Sequence, residues 1–171
     1  IGGIGMSALA RYYNGKGQNI AGYDRTRTPL TNQLEAEGIN VHYQDDIEMI
    51  PTEFIAEDSL GNTLVVFTPA IPESHNELNY FKEAGYSVLK RAQLLGAIAD
   101  KQFSIAVAGT HGKTTVTSML AHIMKYSEVS STAFLGGIST NYQSNLIQTG
   151  DGAMIIAEAD EFDRSFLFLK P

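Results

Sequence analysis

Residues 107–120 read VAGTHGKTTVTSML, a glycine loop set between the apolar run FSIAVAG, which begins at Phe103, and a segment of helical spacing. A continuous apolar run bounded by a glycine loop has the pattern of a strand buried on both faces. Gly109, Gly112, Lys113 and Thr114 then stand where a strand hands over to a helix, and backbone N–H groups at such a junction face an incoming phosphate. Lys113 is placed to reach the β and γ phosphates, and the Thr114 hydroxyl to ligate Mg²⁺. The usual G-x-x-x-x-G-K-[ST] spacing asks for glycine at Val107, so Gly109 supplies a shorter loop. A glycine turn with a solvated lysine is the plainer alternative, and the agreement of strand, glycines, Lys-Thr and helix argues against it.

A metal held at such a loop needs a further acid. AMIIAEADEFD, residues 153–163, reads as a second buried strand with Glu158, Asp160, Glu161 and Asp163 at its carboxyl end, where ligand-binding groups emerge in sheets of this kind. Glu158, the first carboxylate after the apolar run, is the Mg²⁺ ligand of choice; any one of the four acids taken alone is as readily a solvated strand end. The opening IGGIGMSALA holds a second glycine turn, G-x-G-x-x-A at Gly3, Gly5 and Ala8, with Asp24 closing the next strand. Glycine there allows a backbone to approach a diphosphate closely, without saying which diphosphate.

Working outward, β-prone and helix-like runs alternate through the first hundred residues, the pattern of a parallel α/β sheet. The strand expectations are 19–23, 39–43, 63–67 and 87–89; helices are expected over 30–37 and 76–83, stopping at Gly38 and Gly85. Residues 91–102 read as a helix and linker. Residues 114–126 read as a helix whose stripe is Val116, Met119, Leu120, Ile123 and Met124. In FTPAIPESHNE, Thr68, Ala70, Ser74, His75 and Asn76 could line the same crevice as the glycine turn, or Ser74 could cap a helix behind a proline-set turn. His111 lies inside the phosphate loop; His42 and His122 read as surface residues, and Arg91 as an anion partner or a linker charge.

The bulk numbers bound these readings. At 171 residues, 43% hydrophobic and 18% charged, the chain suits one globular domain or two small ones. The net charge of −7 argues against a protein built on nucleic-acid backbone contacts, and no apolar run nears the ~20 residues of a membrane span. The absence of cysteine excludes disulfides, thiolate metal sites and thiol nucleophiles.

Taken together, IGGIGMSALA, AGTHGKTTVTSMLAHI, FLGGIST and EADEFDRSFLFLKP resemble the Mur ligases, ATP-dependent amide-bond-forming enzymes of peptidoglycan precursor synthesis, over essentially the whole chain. The histidine in GTHGKTT and the EADE segment are similar to the branch that adds L-alanine. A recycling branch, which attaches an intact tripeptide to the same sugar nucleotide, shares the histidine but usually differs in the opening glycine segment.

The resemblance implies a Rossmann-like, parallel-sheet domain over residues 1–100. It would bind UDP-N-acetylmuramate through Gly3, Ile4, Gly5 and Met6, with Asp24, Thr68, His75, Asn76 and Asn145 at or near the site. Residues 101–171 would begin a P-loop-type ATP-binding α/β domain, expected to be truncated here, with the third domain that follows in the family expected to be absent. Gly109, Thr110, His111, Gly112, Lys113, Thr114 and Thr115 would surround ATP. Lys113, Thr114 and Glu158 would be catalytic, with Thr114 and Glu158 on Mg²⁺ and a second Mg²⁺ expected.

The chemistry implied is attack of the sugar's lactyl carboxylate on the γ-phosphate, giving an acyl phosphate that the amine of L-alanine resolves, in the cytoplasm. A fragment of this extent is not expected to turn over by itself. Two readings of other kinds stay open on the residues. One is an NAD-binding module or oxidoreductase resting on Gly3, Gly5, Ala8 and Asp24; the other is a simple P-loop kinase or NTPase.

Overall fold

The computed structural model describes residues 1–159 and 167–169, so the candidate acids Asp160, Glu161 and Asp163 lie outside the described residues. A helix α1 (Ile4–Asn14) opens the fold. Packing divides the chain into two compact units, one of Ile1–Gly2 with Tyr13–Arg91 and the other of Gly3–Tyr12 with Ala92–Pro171.

The first unit is built from two βαβ turns. Strand β1 (Ala21–Tyr23), helix α2 (Pro29–Ala36) and strand β2 (Asn40–His42) form one, with Ala21 facing Asn40 in parallel register. Thr28 fixes the start of α2 through reciprocal bonds: the Thr31 N–H donates to its hydroxyl at 3.2 Å, and its own N–H donates to the Thr31 hydroxyl at 2.8 Å. Pro29 occupies the first turn, where its missing N–H costs nothing, and Gly38, at φ 87°, ends the helix as its position in the sequence predicts. Leu34, fully buried, anchors the inner face.

Two short 3₁₀ turns, Ile47–Met49 and Thr52–Phe54, lead to the second βαβ turn, made of β3 (Leu64–Phe67), α3 (Asn76–Glu83) and β4 (Ser87–Lys90), with Leu64 paired to Ser87. The α/β class and the parallel pairing follow the sequence reading. The strands form two separate parallel pairs, however, where one continuous sheet was expected. Ser74 is not the cap of α3: the N-cap residue is His75, for a reason that involves a distant carboxylate.

The second unit takes up α4 (Arg91–Ala99) from Ala92 onward, then β5 (Phe103–Val107), α5 (Lys113–Tyr126), β6 (Ser131–Ser139), β7 (Ser144–Thr149) and β8 (Met154–Glu158). Its sheet runs β5-β8-β6-β7, with β8 parallel to both neighbours and β6 antiparallel to β7. Because β8 is central, Ile155, Ile156 and Ala157 are all buried, the two isoleucines contributing roughly 1.5–3 kcal/mol each by area removed from water. The β6–β7 hairpin was not expected from the sequence. Two adjacent glycines interrupt β6, and Gln143, at φ 50°, closes its turn without a glycine signal.

Helix α5 also departs from expectation. Val116, Met119 and Ile123 are 52%, 61% and 57% exposed, so the five-residue stripe is not the buried face. The core is met instead by the small residues Thr117 and Ala121, with Leu120 and Met124 flanking, against Ala133, Leu135, Ile147 and Ile156. Small side chains let a helix lie close on a sheet, which periodicity of large apolar residues does not reveal.

Candidate functional site

Parallel register sets Val107 beside Glu158, so the end of β5 and the first acid after the apolar part of β8 emerge together. The Ala159 N–H donates to the Val107 carbonyl at 3.0 Å and carries that pairing one residue further. Beyond β5 the chain turns through Gly109, at φ 146°, and Gly112, at φ 77°, the N-cap of α5. Both conformations strain any residue with a Cβ, which is why the loop is glycine at these two points. Thr110, His111, Gly112 and Thr115 are exposed around the turn.

Lys113 reaches back over the loop, its Nζ donating to the Gly109 carbonyl at 2.8 Å. The Thr117 hydroxyl donates to the Lys113 carbonyl at 2.8 Å and stiffens the first turn of α5. Thr114 Oγ1 donates to Glu158 Oε2 at 3.1 Å, and the Gly136 N–H donates to Glu158 Oε1 at 2.7 Å. A Cβ on Gly136 would lie 2.6 Å from Glu158 Oε2, so β6 needs glycine there for the carboxylate to sit as it does. Sequence reasoning had no role for Gly136; the available signal was a glycine pair inside a strand, which marks a close approach.

Lys113, Thr114, Glu158 and Gly136 thus form one polar corner at the mouth of a phosphate-type loop. Thr114 and Glu158 present two hard oxygen ligands side by side, a donor set that fits Mg²⁺. Among the described residues no cluster of three or more His, Asp or Glu side chains could hold a metal alone.

Hydrogen bonds order the opening glycine segment. Within the first unit, Asp24 accepts from the Gly2 N–H at 2.7 Å and from the Thr26 N–H at 3.0 Å, so this acid orders the turn. Within the second unit, the Ser7 N–H donates to the Gly3 carbonyl at 2.8 Å as α1 begins, and Gly3 has open space around its Cα. Ile4, Gly5 and Met6 form the first turn of that helix. Asn145, on β7, is fully buried beneath it. Its Nδ2 donates to the Ile4 carbonyl at 2.6 Å and to Ser7 Oγ at 2.8 Å, and its Oδ1 accepts from Arg11 Nη1.

The remaining candidates fall in the first unit around α3. The Thr68 hydroxyl accepts from the Ala70 N–H at 3.3 Å in the turn after β3. Asp45 accepts from the Asn76 N–H at 2.9 Å and the Glu77 N–H at 3.1 Å, and its carbonyl accepts from the Asn76 side chain at 3.2 Å. His75 is buried, with Nδ1 3.1 Å from Asp45 Oδ1 and 3.3 Å from the Leu78 nitrogen. One ring nitrogen cannot donate to the carboxylate and accept from the amide at once; the charge-assisted contact to Asp45 is the shorter and stronger. The helix is therefore capped mainly by Asp45, 31 residues upstream of Asn76.

Burial pushes the Asp45 carboxyl up, but the backbone N–H groups of Asn76 and Glu77, with His75 and His42 nearby, outweigh it and hold the group below its ordinary value. His42, expected at the surface, is instead buried with its Nε2 2.8 Å from Glu77 Oε1. Asp45 and Glu77 supply sequence-distant partners that no spacing in the sequence announces.

Comparison with known proteins identifies the family. The family model for the Mur ligase family, catalytic domain, matches residues 1–103, and that for the Mur ligase middle domain matches residues 107–161. The chain is 55% identical over its full length to a protein of Porphyromonas gingivalis strain W83 described as UDP-N-acetylmuramate--L-alanine ligase, and 54% identical to one of the same description from Christiangramia forsetii. In both cases it spans 37% of the relative's length. Among solved structures, the whole chain superposes with a TM-score of 0.83 at 26% identity on 56% of a UDP-N-acetylmuramate:L-alanyl-gamma-D-glutamyl-meso-diaminopimelate ligase from Neisseria meningitides. A UDP-N-acetylmuramate-alanine ligase from Thermotoga maritima gives 0.77 at 28% identity, with 92% of this chain on 35% of that one. With one model taking in the opening glycine turn and the other the Lys113 loop and Glu158, the chain belongs to the Mur ligase family.

Proposed function

We propose that this chain is the part of an ATP-dependent ligase that holds UDP-N-acetylmuramate and ATP while L-alanine is joined to the sugar's lactyl carboxylate. The observation that carries the reading is the Glu158 carboxylate clasped between the Thr114 hydroxyl and the Gly136 N–H, beside the loop that Lys113 spans. Residues 1–100 are read as the sugar-nucleotide domain and 101–171 as the beginning of the ATP domain. Gly109 to Thr115 would line the nucleotide phosphates, and Gly3, Ile4, Gly5 and Met6 the diphosphate of the sugar substrate, with the enzyme acting in the cytoplasm, where its nucleotide substrates would be.

Mg²⁺, when bound to Thr114 and Glu158, would neutralise charge on the transferring phosphoryl group. The chain's own contribution is positional. Lys113 would bring its ammonium from the Gly109 carbonyl to phosphate oxygens, the glycine loop would turn N–H groups toward them, and Gly136 would keep the carboxylate from turning away. Asp24 sets the glycine turn. Asp45 fixes His75 and Asn76 at the start of α3, so both would act on the sugar nucleotide through the shape of the loop from Thr68.

The alternative tripeptide-adding reading is supported by the Neisseria structure, but at 26% identity against 55% for the relatives described as alanine ligases, the alanine reading is better supported. Calorimetric titration with UDP-N-acetylmuramate, with NAD in parallel, tests the proposal. Saturable binding of the sugar nucleotide, weakened at least tenfold by Gly5→Leu and absent for NAD, is the expected result. Tight NAD binding with no response to the sugar nucleotide would return the glycine turn to an oxidoreductase reading.

A further inference from the structure

Asn145 has surroundings that exclude the role its type suggests. An asparagine near a nucleotide would ordinarily offer its amide to the ligand, yet here the side chain is fully buried and both amide hydrogens are committed, to the Ile4 carbonyl at 2.6 Å and Ser7 Oγ at 2.8 Å. The carbonyl oxygen is met by Arg11 Nη1, itself buried. Ser7 closes the circuit by donating its hydroxyl to the Ile4 carbonyl at 3.0 Å. One side chain of β7 therefore grips α1 at three successive points on one face, residues 4, 7 and 11. Tyr12 continues the seam, its ring 5.4 Å from that of Phe134 on β6.

Two features make this more than a packing contact. An ordinary helix carbonyl accepts a backbone N–H one turn on; the Ile4 carbonyl also receives two side-chain donors, Asn145 from β7 and Ser7 from the helix itself, which fix the orientation of the peptide planes within the Gly3–Met6 turn. And α1 to Tyr12 belongs to the same compact unit as β5, α5 and the Lys113 loop. The glycine turn is thereby anchored to the sheet that carries the phosphate corner. The burial of an amide and a guanidinium is offset by satisfied hydrogen bonds, and a fully satisfied buried network holds one arrangement where apolar packing would allow several.

We infer that Asn145 is a positioning residue for the diphosphate of the sugar nucleotide, acting through Ile4, Ser7 and Arg11 on the first turn of α1. The inference rests on the reading that the Gly3–Met6 turn takes that diphosphate. Asn145→Asp is the decisive change: it keeps an acceptor for Arg11 but replaces the donor facing the Ile4 carbonyl with a second oxygen, so the turn is pushed off its seat while volume is conserved. Ser7→Ala removes the bridging hydroxyl and leaves the direct Asn145–Ile4 bond. Ile147→Ala, a core cavity on the same strand, serves as the control for general loosening of the unit.

The experiment is calorimetric titration of UDP-N-acetylmuramate into the chain and the three variants, below the thermal midpoint of each. The expected outcome is a loss of tenfold or more for Asn145→Asp and a few-fold loss for Ser7→Ala, with Ile147→Ala binding as the parent does despite a lowered midpoint. Equal binding by all four, or equal weakening of Asn145→Asp and Ile147→Ala, would overturn the positioning role while leaving the diphosphate site standing. If Asn145→Asp does not fold, undiminished binding by Ser7→Ala counts against the proposal in the same way. Failure of the parent chain itself to bind would overturn the site, and the positioning role with it.

Discussion

At Gly136 a single added methyl group would lie 2.6 Å from one oxygen of Glu158 and 2.7 Å from the other. Gly136→Ala must therefore move either β6 or the carboxylate, and the side chain is the softer of the two. The expected consequence is loss of the hydrogen bond from the Gly136 N–H. Charge-assisted bonds of this kind are worth about 1.5–3 kcal/mol, which corresponds to roughly tenfold or more in affinity. Mg²⁺-dependent ATP binding should fall by about that factor, with far-UV dichroism unchanged; undiminished binding by a folded Gly136→Ala variant would remove Glu158 from the metal site. Thr114→Val should act on the same affinity, since it deletes the hydroxyl that meets Glu158 at 3.1 Å.

At the scale of the element, α3 and α5 show opposite departures from sequence pattern. The start and stop of α3 follow its spacing, but its cap comes from Asp45, outside any local window. Replacing a capping acceptor by alanine costs about 1 kcal/mol, so Asp45→Ala should lower unfolding free energy by that order near neutral pH. The folded carboxyl titrates below its ordinary value of 3.8, so its contribution is fully present above that value and is lost as pH falls through the depressed one. Denaturant unfolding across pH should show parent and variant converging only in acid; a constant gap through pH 3 would contradict the assignment.

Helix α5 tests the other departure. With Met119 and Ile123 exposed and Ala121 only 1% exposed, Met119→Lys and Ile123→Glu should change the stability of this chain by no more than about 0.5 kcal/mol, while Ala121→Leu should cost about 1–3 kcal/mol by overpacking. The reverse order in thermal or denaturant unfolding would mean that the large apolar stripe is the packed face after all.

At the scale of the whole molecule, local chemistry was readable along the chain wherever it depended on neighbours in sequence. Glycines at 109 and 112 must take left-handed or extended-positive backbone, Lys113 and Thr114 must open a helix behind a buried strand, and Gly38 and Gly85 must end helices; each is a short-range steric or hydrogen-bonding demand that residue type states outright. The α/β class followed from the same alternation, and family membership from segments spread over both units. What spacing could not supply were partners brought together by register and packing. Gly136 under Glu158, Asp45 over the start of α3 and Asn145 beneath α1 join residues 22, 31 and 141 positions apart. A lone Asn, Asp or Gly carries no mark of its distant partner, because a hydrogen bond is specified by distance and direction in space, and those exist only after the strands of each unit have paired and its helices have closed on them.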